Sequence, residues 1–315
     1  MRSSSSYALV TAAYNEQALI EQTISSMVSQ TVRPAKWIIV SDGSTDGTDD
    51  IVRRYSGEYD FIELCRISED HPRNFTAQVY AINRGLSLLG NRDYTFIGNM
   101  DADITLEPDY FSRLLDKFGQ DPGLGLGGGS IWEKSGDSSF KPRRGNSVAS
   151  VAHACQLFRR ECFDAIGGAY LPLPYGGPDT HAEIMARMKH WRVASFTDLK
   201  VFHHRRTGSV GGVLRGLFRQ GKMDYSLGAL PLFEFVKLLR RVRFRPYLLG
   251  SITRLAGFLD SYWRREERAV PKEVEQYCRS EQRQRLARFF RMRSDVSGTG
   301  DSGLHGRLLK NDHRP

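Results

Sequence analysis

Two aspartates one residue apart stand where a hydrophobic run of the sequence ends. The run covers residues 94–100, and Asp101-Ala102-Asp103 follows it directly. Paired carboxylates at a strand end are a natural seat for a divalent cation such as Mn²⁺ or Mg²⁺, which can in turn hold a diphosphate. Such a spacing arises by chance about once in a chain of this size, because aspartate is roughly one residue in twenty. Its meaning therefore depends on the elements around it.

Other residues with suitable chemistry lie further along the chain. His203 and His204 follow a predicted strand at 193–202, and a neutral imidazole is a common ligand for divalent ions of the transition type. Most histidines are ordinary surface or core residues, so metal ligation is one of two interpretations. Asp179 precedes an amphipathic helix, where it would serve either as the helix N-cap or as a carboxylate of a site.

The elements that must position these residues follow a βα repeat. Short β-rich runs alternate with helical periodicity, which predicts strands at 7–11, 37–40, 61–64 and 94–100 and helices at 20–28, 48–55 and 76–89. This pattern implies an α/β fold with a mainly parallel sheet, in which ligands bind beyond the carboxyl ends of the strands. Tyr14-Asn15-Glu16, Asp42 and the Asp101-Ala102-Asp103 cluster each follow a strand. We therefore expect them at one edge of the sheet.

The second half of the chain is less regular. Periodicity predicts helices at 110–118, 158–166 and 183–190, and Gly and Ser residues predict loops or ligand-contacting strands over 123–150. Gly123 to Gly128 has the glycine spacing of a dinucleotide-binding loop but lies too late in the fold to be one. The segment from Asp42 to Thr48 resembles the start of a calcium loop, yet Arg53 stands where that loop requires a bidentate Glu.

The basic character of the chain belongs to its last third. Of the formal net charge of +9 over 315 residues, residues 201–315 contribute 24 Lys/Arg against 11 Asp/Glu. Within this part, residues 246–263 predict an amphipathic helix that follows the arginine-rich segment 240–245. A helix with this composition suits a membrane interface with anionic headgroups, and the alternative is a helix packed on the core with solvated arginines.

Composition and cysteine usage indicate a folded protein in a reducing compartment. The chain is 40% hydrophobic and 26% charged, and its four cysteines form neither a Cys-x-x-Cys pair nor a zinc pattern. The start of the sequence lacks the apolar stretch of a signal peptide, and no uncharged run is long enough to span a bilayer. We expect a cytoplasmic protein that lies peripherally on the membrane face.

Read in order, the strand-end motifs closely resemble those of family 2 nucleotide-sugar glycosyltransferases. The motifs that carry the resemblance are Ala13-Tyr14-Asn15-Glu16, the segment Val40 to Thr48, Ala81-Ile82-Asn83-Arg84-Gly85, Asp101-Ala102-Asp103 and Ile166-Gly167-Gly168. The resemblance covers about residues 7–210 and implies the GT-A fold with inverting transfer of one sugar. The Gln-x-x-Arg-Trp motif of processive members is absent, which favours single additions.

The resemblance also implies roles for individual residues. Around the nucleotide it places Ala13, Tyr14, Asn15, Glu16, Asp42 and Arg73, and around the ribose, diphosphate and metal it places Asp101, Ala102 and Asp103. Asp103 and one histidine would hold Mn²⁺ or Mg²⁺, with His204 favoured over His203. The catalytic base of the family lies in a Glu-Asp pair, which reads Pro178-Asp179 in this chain, so Asp179 is the expected base and Glu183 the reserve.

The sequence thus predicts a metal-dependent, non-processive glycosyltransferase. We expect residues 1–230 to form the GT-A domain, with a donor half at 7–105 and an acceptor half at 106–230. A basic amphipathic helical extension would occupy 231–293, and a disordered tail would follow at 294–315. The expected partners are a UDP-sugar donor, a lipid-linked acceptor and an anionic membrane surface, without nucleic acid. The alternatives are a nucleotidyltransferase, although its phosphate loop is missing at Ala12 to Glu16, and a non-catalytic nucleic-acid-binding protein.

Overall fold

The computed structural model is an α/β fold followed by four helices. It describes residues 6–67, 76–90, 93–135, 139–143, 147–205, 212–241 and 247–298. The strands are β1 (Tyr7–Ala13), β2 (Lys36–Asp42), β3 (Ile62–Ile67), β4 (Phe96–Met100), β5 (Ile104–Leu106), β6 (Leu124–Lys134), β7 (Phe140–Pro142), β8 (Cys155–Arg159) and β9 (Arg192–His203). The helices that alternate with them are α1 (Ile20–Val28), α2 (Thr48–Glu58), α3 (Ala77–Leu89), α4 (Tyr110–Gln120), α5 (Arg160–Ala165) and α6 (Pro178–Met188). The final four are α7 (Val213–Ser226), α8 (Pro231–Arg241), α9 (Tyr247–Trp263) and α10 (Lys272–Gly298).

All nine strands join one mainly parallel sheet. Their order is β3-β2-β1-β4-β8-β6-β9-β5, with β7 paired to β6. Strands β1 to β4 run parallel, β8 is antiparallel to both of its neighbours, and β9 runs parallel to β6. Strands β1, β2, β4 and β9 therefore all end at one edge of the sheet, which we call the carboxyl edge. The predicted α/β fold with a mainly parallel sheet is confirmed.

Each face of the sheet carries its own hydrophobic core. Alternate residues of β1 serve the two faces, because successive side chains of a strand point to opposite sides. Tyr7 and Leu9 pack with α1, α2 and α4, whereas Ala8 and Val10 pack with α3, α5 and α6. A strand buried on both faces has a continuous apolar sequence, which is what the run Tyr7 to Val10 shows.

The glycine-rich region after α4 is a central strand, where only loops or ligand-contacting strands were expected. β6 is buried over most of its length and lies between β8 and β9. Its glycines allow close packing: a Cβ at Gly128 would lie 2.6 Å from the backbone oxygen of Cys155. The helix expected over 158–166 begins at Arg160, because residues 155–159 pair with β4. The helix expected from 183 begins five residues earlier, at Pro178.

The last four helices pack mainly on one another and on α6. α7 and α9 cross at two glycines, Gly221 and Gly257, where an added Cβ would lie 1.9 Å from a backbone oxygen of the other helix. A buried ion pair between Asp224 and Arg254 joins the same two helices at 2.6 Å. The structure therefore groups α7 with the helices that follow it, whereas the sequence division at 230 separates them. α10 runs to Gly298, beyond the expected end of the helical part at 293.

Candidate active site

Asp101, Asp103 and His203 form a compact cluster at the carboxyl edge. Their ligand atoms all lie within 4.8 Å of one another. The Nε2 atom of His203 is 3.2 Å from Oδ1 of Asp103 and 4.0 Å from Oδ2 of Asp101. Two carboxylates and one imidazole within this distance are a donor set that fits a divalent cation such as Mn²⁺.

Local backbone structure explains why these three residues meet. β4 ends at Met100, and the chain then turns through Asp101 to Asp103 into the short strand β5. β5 pairs antiparallel with the end of β9, and Ile104 lies opposite His203 in the register. The two acids and the histidine, about a hundred residues apart in sequence, are thereby brought side by side.

The structure brings His203 rather than His204 to the acids, which differs from the expectation that favoured His204. Successive residues of β9 point to opposite sides, so only one histidine can face the cluster. Nε2 of His204 instead lies 2.9 Å from the hydroxyl of Thr105, and its ring packs edge-on against Phe140 at 5.2 Å. The backbone N–H of His204 donates to the carbonyl of Asp103, which holds this arrangement.

The electrostatics of the cluster favour a bound positive charge. Burial and the charge of Asp103 raise the pKa of Asp101, although His153 and His203 act in the opposite direction. Burial alone would lower the pKa of His203, but the hydrogen bond to Asp103 and the negative charges of both acids raise it. In contrast, burial lowers the pKa of His204. Acids that attract a proton onto a neighbouring imidazole would attract a metal cation for the same reason.

The turns after β1 and β2 lock together beside this cluster. The side-chain oxygen of Asn15 accepts from the backbone of Thr45 at 2.8 Å, and the backbone of Glu16 donates to the hydroxyl of Thr48 at 2.8 Å. Asn15 has a φ of 52°, a left-handed conformation that Asn tolerates better than most residues. The two turns therefore form one rigid wall. Asp42 is buried at the end of β2, and Tyr14 is exposed on the same wall.

Arg205 reaches this wall from the other end of the chain, and the sequence motifs did not single it out. Its guanidinium makes two hydrogen bonds to the carboxylate of Glu16, at 2.6 and 2.9 Å, and its Nε lies 3.8 Å from Asp103. Arg205 therefore links Glu16 to the acidic cluster. The adjacency of an arginine to the His203-His204 pair was the available sequence signal. Arg73, which was expected near the nucleotide, lies outside the described residues.

Asp179 lies in the first turn of α6, close enough to the acidic cluster for its charge to act on Asp101. Gly176 and Gly177 precede it with φ angles of 84° and 89°, so the chain turns sharply into the helix. Asp179 is half-buried, it bonds to the backbone of Thr180, and its charge contributes to the raised pKa of Asp101. Gly177 is the N-cap of α6, so the expected capping position falls two residues before Asp179.

Glu183, the reserve candidate for the base, is engaged in structure. It is 4% exposed and accepts hydrogen bonds from the backbone of Val151 at 2.6 Å and from the hydroxyl of Ser150 at 2.8 Å. Burial raises its pKa to about 7. Glu183 thus fixes the segment before β8 onto α6, and the two oxygens that it presents are already used by the protein.

His153 is a further residue beside the acids that sequence reasoning missed. It exerts the largest charge effect on Asp101 and packs edge-on against Tyr170, with ring centroids 5.3 Å apart. Tyr170 in turn donates to Asn99 at 2.5 Å. The Nε2 atom of His153 is buried without a hydrogen-bond partner among the described residues. A single histidine in the segment before β8 carries no sequence pattern that would reveal this position.

Comparison with known proteins identifies relatives of the sequence and of the fold. The family model described as glycosyl transferase family 2 matches residues 8–169, just over half of the chain. Among curated proteins, the poly-beta-1,6-N-acetyl-D-glucosamine synthase of Staphylococcus aureus is 28% identical over 114 residues. That alignment covers 36% of this chain and 26% of the relative, so the chain spans about a quarter of the length of the curated relatives it matches.

Solved structures with the same fold include a mannosyltransferase and TarS. A mannosyltransferase from Pyrobaculum calidifontis in complex with GDP-Man and Mn²⁺ superposes with a TM-score of 0.53 at 16% identity, covering 86% of this chain and 82% of its own. Residues 1–349 of TarS from S. aureus, in complex with UDP-GlcNAc, superpose with a TM-score of 0.52 at 12% identity, covering 87% and 78%. These likenesses establish the GT-A architecture of the sheet and its helices.

Proposed function

This chain belongs to glycosyl transferase family 2 and is a glycosyltransferase, and from that membership we propose a specific reaction for it. It moves one sugar at a time, with inversion, from a nucleotide-diphosphate sugar to an acceptor hydroxyl, and it depends on a divalent cation. The observation that carries the proposal is the cluster of Asp101, Asp103 and His203, which Arg205 connects to the wall formed by the turns after β1 and β2. The family membership sets aside the two other function classes, a nucleotidyltransferase and a nucleic-acid-binding protein.

The donor nucleotide binds along the wall formed by the turns after β1 and β2. Tyr14 is exposed there and offers its ring to a base, and Asp42 and Glu16 offer carboxylates to base and ribose N–H and O–H groups. Ala13, Asn15 and Ala102 contribute the backbone that shapes this wall, and Arg73 is a further expected contact. UDP is the favoured nucleotide, because TarS was solved with UDP-GlcNAc. GDP is the second candidate, because the mannosyltransferase was solved with GDP-Man.

The diphosphate end of the donor lies at the acidic cluster. A divalent cation bound by Asp101, Asp103 and His203 would supply positive charge that stabilises the departing diphosphate. Arg205 adds the positive charge of its guanidinium at the same place, with Nε 3.8 Å from Asp103 and both terminal nitrogens on the carboxylate of Glu16. These residues therefore hold and neutralise the leaving group, and they leave the proton transfer to a different side chain.

Asp179 is the proposed catalytic base. Its charge acts on Asp101, so it is near enough to the acidic cluster to take the proton of an acceptor hydroxyl that attacks the anomeric carbon opposite the leaving group. Its place in the first turn of α6 stabilises the carboxylate through the helix dipole. Glu183 is unsuited to this role, because Ser150 and Val151 both donate to its Oε1 and Arg187 lies 3.5 Å from its Oε2.

The helical part of the chain supports association with a membrane surface. On α8, Leu232, Phe235 and Leu239 are each more than half exposed, and Leu248, Leu249 and Ile252 of α9 are equally exposed. Contiguous exposed apolar side chains mark an interaction surface, and residues 201–315 carry a strong positive charge. None of the described helices is both long and apolar enough to cross a bilayer. We propose a peripheral enzyme on the cytoplasmic membrane face, acting on a lipid-linked saccharide of an envelope polysaccharide.

The donor proposal is tested with purified protein, Mn²⁺ and a panel of UDP-, GDP- and dTDP-sugars. Binding is measured by calorimetry and slow donor hydrolysis by nucleotide release. We expect one donor to bind in a manner that chelation of the metal abolishes. Absence of binding and hydrolysis across the panel would contradict the proposal.

The base is tested with Asp179→Asn, which keeps the shape of the side chain. We expect transfer to fall by about 10²-fold or more, the usual contribution of a positioned base, while donor binding is unchanged. A joint loss of donor binding and transfer would remove Asp179 from this role.

The membrane surface is tested by flotation with vesicles that contain anionic lipid, using Leu232→Ser with Leu239→Ser. We expect these changes to move the protein to the soluble fraction. Equal recovery of wild type and variant in the soluble fraction would refute the surface.

A further inference from the structure

A cleft lies between the start of α6 and the helical part of the chain. Residues 147–150 and α6 form one side, α7, α8 and α10 form the other, and the volume is about 260 Å³. We call it the α8 cleft. Its volume is slightly below the range of about 300–1,000 Å³ that is typical of small-molecule sites, which suits a ligand of the size of one sugar ring.

The α8 cleft opens next to the proposed catalytic base. Thr180, which lines the cleft, follows Asp179 directly, and its backbone N–H donates to the carboxylate of Asp179 at 2.8 Å. Glu183, one turn after Asp179 on the same face of α6, lines the cleft and holds residues 147–150 on this side of it through Ser150. The charge of Asp179 contributes to the raised pKa of Glu183. A group in the cleft at Thr180 and Glu183 is therefore within about one helical turn of Asp179.

Each cation that lines the cleft has a carboxylate partner. Arg187 and Arg285 both pair with Glu281, at 2.8 and 3.0 Å, and Lys237 pairs with Asp224 at 2.9 Å. Cations that already have carboxylate partners offer little attraction to a phosphate. Paired charged groups do, however, present many fixed donors and acceptors to hydroxyl groups. The chemistry therefore fits a neutral, hydroxyl-rich ligand better than an anion.

Helix α8 separates this cleft from the proposed membrane surface. Phe233, Glu234 and Lys237 line the cleft, whereas Leu232, Phe235 and Leu239 are exposed. With 3.6 residues per turn, the centres of the two sets lie roughly 170° apart around the helix. One helix thus presents opposite faces to the cleft and to the surface, and the distance between them is about one helix diameter, ~10 Å.

We propose that the α8 cleft binds the sugar residue of the acceptor, next to Asp179, while the lipid of the acceptor stays at the exposed face of α8. This inference rests on the proposed function and adds to it the place and chemical class of the acceptor. Phe233 offers an apolar face to the sugar ring, and Thr180 and the paired charges offer hydrogen bonds to its hydroxyls.

The test uses methyl β-glycosides of glucose, galactose, mannose and N-acetylglucosamine as probes, with saturation-transfer NMR as the measurement. We expect the full-length wild-type protein to bind at least one probe. Ala149→Phe, on the exposed rim of the cleft, should abolish the signal by filling the space. Phe233→Ala should weaken binding about tenfold, the scale for loss of one apolar contact. Phe235→Ala is the matched control, and it should bind the probe like wild type but float less with vesicles.

The binding of UDP with Mn²⁺ is measured in every variant to separate this inference from the donor proposal. Unchanged nucleotide binding together with the expected loss of sugar binding supports the cleft. If wild type binds nucleotide but none of the four probes, or if Ala149→Phe and Phe233→Ala bind them normally, the cleft inference is wrong and the donor proposal stands. If no nucleotide binds to wild type, the proposed function fails instead.

Discussion

Replacing Glu183 with Gln should stabilise the protein above neutral pH without removing activity. Glu183 is almost fully buried, and burial raises its pKa from an ordinary 4.5 to about 7. A carboxyl group whose pKa is raised by folding stabilises the folded state while it is protonated, below pH 4.5. That contribution is lost as the pH rises through 7, where the buried group must ionise.

The size of the effect follows from the pKa. A difference between 4.5 and about 7 corresponds to about 3 kcal/mol of unfolding free energy by pH 8. Gln remains neutral, and its carbonyl oxygen can accept the same bonds from Ser150 and Val151. Its amide would lie beside Arg187, which keeps Glu281 as a partner at 2.8 Å. The melting temperature of Glu183→Gln should therefore exceed that of wild type by roughly 5 °C at pH 8, and the difference should fall to about a quarter of that at pH 5.

Thermal melts between pH 5 and 8 measure this difference, with Glu281→Gln as the control. The control removes the other carboxylate that contacts Arg187 but keeps Glu183, so it should follow the pH dependence of wild type. A constant offset between Glu183→Gln and wild type at all pH values would refute the reasoning. Sugar transfer by Glu183→Gln should stay within a few-fold of wild type; a loss as large as that of Asp179→Asn would make Glu183 the base.

Three further predictions concern the acidic cluster, the wall formed by the turns after β1 and β2, and the helical part of the chain. His203→Ala should weaken Mn²⁺ binding about tenfold or more in calorimetry, whereas His204→Ala should change it little; the reverse order would restore His204 as the ligand. Arg205→Gln should lower UDP affinity about tenfold, because Glu16 loses a partner that donates two charge-assisted hydrogen bonds, and an unchanged dissociation constant would contradict this role. Gly221→Ala should lower the free energy of unfolding by about 2 kcal/mol, because the added Cβ would meet the backbone of α9. Gly216 has open space around it, so Gly216→Ala should raise the free energy of unfolding by up to about 1 kcal/mol. Equal melting temperatures of the two variants would show that the helix crossing relaxes freely.

The first half of the fold followed from sequence because its signals are local. Apolar runs and helical periodicity predicted β1 to β4 and the helices between them, and the order of the strand-end motifs predicted the carboxyl edge. The second half depends on contacts that local patterns do not encode. Four of the eleven residues of β6 are glycines, and its identity as a central strand comes from the close packing of β8 and the segment before it.

The candidate site shows the same division. Asp101, Asp103 and Asp179 stand at recognisable element boundaries, so their proximity could be expected from topology. The choice of His203 over His204 could not, because it depends on the register between β5 and β9. Arg205 and His153 were missed for a related reason: each acts through a contact with a distant part of the chain that has no sequence signature.

The pairing of Arg205 with Glu16 has a consequence for synthesis of the protein. The two residues are 189 positions apart, and His203 joins Asp101 and Asp103 across about half that span. Domains tend to fold from the N-terminus as the chain leaves the ribosome. A nascent chain that has completed β1 to β4 would still lack the imidazole and guanidinium that we propose for the donor site. A ligand stabilises only the state that binds it, so cellular nucleotide sugar can stabilise the chain only after β9 has been made and paired.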